Sequence, residues 1–196
     1  ENYAWAKEIS SKLISSQEYN SEIWQYFFQG VIRSNYSAKE LADILFLSYK
    51  PLSAMNFQKD LGELLWKTVR EDGIAEYISE KQLDLFEVCI TVWNNRETEK
   101  PEVGRIIDLT LNTTIGLVLM SMMYIISFDP NHKLNEQIKL FFQENLSLTS
   151  WEIDVVVCVL AGNLSFLYYR DIPWCSEHLI PLLNGSNIKA FSSAWE

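Results

Sequence analysis

Apolar residues recur at helical spacing along most of this chain. Trp5, Ile9 and Leu13 stand at i, i+4 and i+8 within residues 2 to 15, and Ile23, Phe27 and Val31 repeat the pattern beside Trp24 and Phe28 within residues 21 to 33. That period lays the apolar groups along one face of a helix. Phe57, Leu61, Leu64, Leu65 and Val69 draw a similar stripe over residues 54 to 71, which stops near Asp72-Gly73. Polar punctuation marks several of the ends. Ser37 with Glu40 is a capping box, in which hydroxyl and carboxylate satisfy amide donors at a helix start, and it predicts a helix from 38 to about 48 that ends before Pro51. Ser79 with Gln82 predicts a second start, leading through Leu83, Phe86, Ile90 and Trp93 to about residue 94, and Thr149 with Glu152 a third.

The second half repeats itself. Two nearly uncharged apolar runs, Ile115 to Ile126 and Val155 to Tyr169, each lead to a break at Asp129-Pro130 or Asp171-Ile172-Pro173 and then to an amphipathic segment, 42 residues apart. In that register Tyr124 falls on Phe166, Ile125 on Leu167, Ile138 on Ile180 and Leu140 on Leu182. A two-helix unit of about 40 residues is the mark of an α-solenoid of the HEAT or armadillo kind. The expected helices here are 102 to 127, 133 to 145, 150 to 169, 173 to 183 and 188 to 196. The fold predicted is all-α: one irregular α-solenoid domain over residues 1 to 196, of nine or ten helices in antiparallel pairs, with a polar loop at 94 to 101 dividing two halves.

Composition agrees. Hydrophobic residues make up 48% of the 196, and only 7 Gly and 5 Pro interrupt them, which suits long helices joined by short turns. The net charge of −10 excludes a nucleic-acid backbone as partner, since such binding needs clustered Lys and Arg. Neither apolar run reaches the roughly 20 unbroken residues of a membrane span, so no membrane role is expected. Cys89, Cys158 and Cys175 are odd in number and far apart, as in a reducing cytosol, and the Asn-x-Ser/Thr sequences at Asn35, Asn112, Asn145 and Asn163 read as chance matches within or beside helices. The start at Glu1, without Met, and the end at Trp195-Glu196, without a helix stop, suggest a piece of a longer protein.

Chemistry is thin. Cys175 and His178 share a helix face, but a zinc site needs four ligands and no second pair is present, so no metal or cofactor is expected. Asp60 with Glu63 fits a solvated face, and Glu152 and Asp154 point to different sides of a helix. Asp129, His132, Asp171 and His178, near the two breaks, form the one cluster on which an enzyme or metal site could rest; that is the alternative reading. Trp93, Tyr168, Tyr169 and Trp174 flank predicted turns and are candidates for an aromatic partner surface, against the plainer reading of such rings as core.

The stretch Leu160-Ala161-Gly162-Asn163-Leu164-Ser165-Phe166-Leu167, then Asp171-Ile172-Pro173-Trp174, Glu177-His178-Leu179-Ile180-Pro181-Leu182-Leu183 and Ala194-Trp195-Glu196, resembles a helical domain found at the C-terminus of bacterial SIR2-like proteins, some of them linked to phage defence. Leu111-Asn112-Thr113-Thr114-Ile115-Gly116 resembles that family's Asn-His-Pro-Ala-Gly segment, with Thr113 and Thr114 in place of His and Pro. The resemblance spans about residues 103 to 196. It implies a larger bacterial protein in which a separate NAD-consuming domain does the chemistry, and no catalytic residue carries over to this piece. The function expected is therefore a non-catalytic cytosolic interaction region. Its partner would be the parent's own effector domain, another copy of itself or a foreign target protein, and its role target recognition, self-assembly or autoinhibition.

Overall fold

A computed structural model describes residues 2–17, 19–53, 55–97, 99, 102, 105–129, 133–147, 150–183 and 192. Every regular element among them is helical, as the periodicity predicts. The chain forms two compact units, Glu1–Thr98 and Glu99–Glu196.

The first unit holds α1 (Asn2–Ser15), α2 (Ser21–Ile32), α3 (Ala38–Ser53), α4 (Gln58–Arg70) and α5 (Ile74–Asn94). Helices α1, α3 and α5 lie side by side in one row and α2 and α4 in a second, and the rows meet where α4 packs on α3 and α5. Leu41, Ile44, Leu45, Leu61, Leu64 and Leu65 close the seam without solvent contact. Trp24 anchors the second row, its ring 5.5 to 6.3 Å from those of Phe27, Phe28 and Phe57. The Ser37–Glu40 capping box forms as expected at the start of α3, and α2 is capped by Asn20. Asn20 accepts the amides of Glu22 and Ile23 at 3.0 and 3.3 Å, and the Ser37 amide donates to the Glu40 carboxylate at 2.9 Å.

Three boundaries differ from the sequence expectation. Helix α3 runs through Pro51 to Ser53, because a proline in the last turn forfeits one amide bond and the burial of Leu52 behind it offsets that loss. Helix α4 starts at Gln58 instead of near 54; the Gln58 side chain donates through its Nε2 to the Ser53 carbonyl at 2.9 Å and holds the junction. Helix α5 starts at Ile74, after Gly73 at φ 82°, a left-handed turn that suits glycine. Buried Ile74 and Ile78 extend it backward, and the predicted start at Ser79 becomes a kink at Lys81.

The second unit holds α6 (Ile106–Asn112), α7 (Thr114–Ser127), α8 (Glu136–Leu146), α9 (Glu152–Gly162), α10 (Leu164–Arg170) and α11 (Ile172–Trp174). Helix α11 continues into a π turn, Cys175–Leu179, and a 3-10 turn, Ile180–Leu183. Helix α9 is the hub: every residue from Val155 to Ala161 is buried, with α6, α7, α8 and α10 packed against it.

Both long apolar helices expected here are in fact broken. The chain bends by 75° between α6 and α7 and by 69° between α9 and α10. At the first bend Thr113 caps α7, its hydroxyl accepting the Gly116 amide at 3.3 Å while donating to the Leu109 carbonyl at 2.7 Å. Gly116 permits the bend, since a Cβ there would stand 1.8 Å from the Thr110 carbonyl oxygen. At the second bend the Asn163 side chain donates to the Val159 carbonyl at 2.8 Å and closes α9. Ser121 occupies the position of Asn163 in the 42-residue register, yet α7 continues unbroken past it, its hydroxyl donating to the Leu117 carbonyl. The backbone therefore does not repeat there although the sequence pattern does. Among the described residues no single helix is long and apolar enough to cross a membrane.

Helix α8 starts at Glu136, three residues later than expected, with Asn135 accepting the Gln137 amide at 2.8 Å. The Thr149 cap and the helix over 188 to 196 fall outside the described residues, Ser192 and Ser150 onward excepted. Ser150 does hydrogen-bond Glu152, donating to its carboxylate at 2.9 Å and accepting its amide at 3.3 Å.

Replacing Gly116 with Ala forces backbone against backbone at the α6–α7 bend. Overpacking of that kind costs about 1–3 kcal/mol or more, and urea unfolding is expected to show a loss at the upper end of that range.

Candidate functional site

The richest set of polar side chains in the second unit lies where α8 faces residues 171 to 178. Lys139 and Gln143 are one turn apart on α8, and Asp171, Trp174 and His178 follow at similar spacing on α11 and the π turn. Asp171 begins the seam, accepting the Trp174 amide at 3.0 Å as helix cap and meeting the Lys139 ammonium at 2.6 Å. Lys139 also reaches Glu136 at 2.7 Å. One turn on, the Gln143 side-chain amide stands 2.6 Å from His178 Nε2, and which of them donates depends on the imidazole tautomer. The Trp174 ring fills the space between, 6.0 Å from Phe142 and 5.8 Å from His178, with its indole N–H buried and unpaired.

Burial alone would raise the Asp171 carboxyl, but the Lys139 ammonium and the Trp174 amide outweigh it and hold the group below the usual carboxylate range. Asp171, then Glu136, raises Lys139 above its ordinary value. Burial pushes the Cys175 thiol up to about 11, with Asp171 adding to the effect, and burial also raises Cys89. Neither is a thiolate at neutral pH, so neither is a ready nucleophile.

The proposed cluster of Asp129, His132, Asp171 and His178 is only partly described. His132 lies outside the described residues. Asp171 is engaged with Lys139 and His178 with Gln143, while Asp129 is buried beside Arg170. Among the described residues no group of three or more His, Cys, Asp or Glu is arranged to hold a metal ion. Asp60 and Glu63, expected on a solvated face, are instead partly covered, and burial raises both carboxyls against the opposing charge of Lys59.

The aromatic candidates divide. Trp93 and Trp174 are buried, so their rings are core and do not form a partner surface. Tyr169 is 79% exposed and Tyr168 40%, and Ile172 beside them is 52% exposed. The residue that sequence reasoning missed is Arg170, between these tyrosines and the Asp171 cap. Its guanidinium is buried, donates to the Ser127 carbonyl at 3.1 Å and the Asp129 carbonyl at 3.5 Å, and stacks on Phe166 at 4.7 Å. It thereby caps the C-terminus of α7 from α10, at the favourable end of the helix dipole. Burial lowers its pKa, with Asp129 opposing. An arginine immediately before a break is the only trace of this in the sequence.

Comparison with protein-family models, curated proteins and solved structures finds no match to this chain.

Two outcomes test this geometry. Arg170→Met strands the carbonyls at the end of α7, which costs about 1–3 kcal/mol, and Arg170→Lys recovers only part of that because an ammonium lacks the planar fork; thermal melts of the three proteins decide it. The contribution of Asp171 is complete above its unfolded pKa near 3.9 and vanishes as pH falls through its lower folded value. That of Lys139 is complete below about 10.4 and vanishes as pH rises through its higher folded value. The stability difference between the natural chain and Asp171→Asn is therefore expected to stay flat between about pH 5 and 9 and to shrink in acid, as measured by urea titration.

Proposed function

We propose that this chain is a non-catalytic helical interaction region of a larger bacterial cytosolic protein. The observation that carries the reading is the exposure of large apolar side chains in groups: Tyr168, Tyr169 and Ile172 at the α10–α11 corner, and Trp5, Ile23 and Tyr26 on α1 and α2. Single exposed apolar residues are ordinary, but aromatic groups left together at a surface are what binding hot spots are made of. The two-row packing of α1 to α5 supports the α-solenoid reading, in which successive helix pairs offer an extended face to a partner. The hub arrangement around α9 departs from it, which makes the solenoid irregular.

The resemblance of residues 103 to 196 to the helical C-terminal domain of SIR2-like proteins supports a parent in which a NAD-consuming effector lies elsewhere in the chain. In that setting the region recognises a foreign target, assembles copies of itself or restrains the effector, and phage defence is the natural context. The partner is a protein in each case. Deleting residues 1 to 196 from the parent is expected to abolish either partner capture or the control of effector activity in infected cells. If both persist at parental levels, the reading fails.

A further inference from the structure

We draw no further inference here: the strongest candidate, the apolar groove lined by Trp5, Ile9 and Leu13 of α1 and by Ile23, Phe27 and Val31 of α2, carries none because nothing in the structure shows what covers it.

Discussion

A helix without a polar face has to be enclosed, and the second unit is organised by that requirement. From Val155 to Ala161 helix α9 has no residue that can face water, so α6, α7, α8 and α10 surround it. Straight helices as long as the apolar runs would pass beyond the core and leave it exposed at their ends. The sharp bends at Thr113 and Asn163 fold each run back into contact, at the cost of interrupting the backbone hydrogen bonds where water is scarce. The side chains at the breaks answer that cost: the Thr113 hydroxyl takes the Gly116 amide at the start of α7, the Asn163 side chain adds a second bond to the Val159 carbonyl, Gly116 gives room for one backbone to meet another, and Arg170 reaches the end of α7. Thr113 and Arg170, two of the buried polar side chains of this unit, thus serve the helix ends that its folding back creates.

The first unit meets a milder form of the same constraint with two rows of amphipathic helices. Its central α3 is covered by α1, α4 and α5, while α1 and α2 lie on the inner helices more than on each other. An element at the margin of a row has one face fewer to bury, and this is where Trp5, Ile23 and Tyr26 remain exposed.

What was legible in the sequence was local. Spacing alone locates α1 and α2, and the Ser37–Glu40 box forms as its chemistry dictates, because these features depend on groups within one or two turns. The bends at Thr113 and Asn163 were not legible, since apolar residues continue on both sides and the decisive contact, Gly116 against Thr110, is made by the bend itself. Pro51 misled in the opposite direction: its local preference to end a helix yields to the burial of Leu52. Trp93 and Trp174 flank turns exactly as surface aromatics would, and only packing distinguishes their buried rings from that of Tyr169. The partners of Asp171 and His178, Lys139 and Gln143, come from a different helix and left no motif.

The described cations are largely held in place by acids of the same fold. Lys7 joins α1 to Asp43 of α3, Lys50 joins α3 to Glu87 of α5, and Lys139 joins α8 to Asp171. Lys12, Lys67, Lys81 and Arg105 are matched by acids one turn away, and Arg170 is spent on carbonyls inside the fold. Cations so neutralised in place do little to attract a polyanion, because binding to a phosphate backbone draws on positive charge that is free to displace counterions. Such pairs add little stability at an exposed surface, yet they fix which helix lies against which. What the fold leaves at its surface beside these pairs, among the described residues, is a set of large apolar side chains, Trp5, Tyr26, Leu83 and Tyr169 foremost.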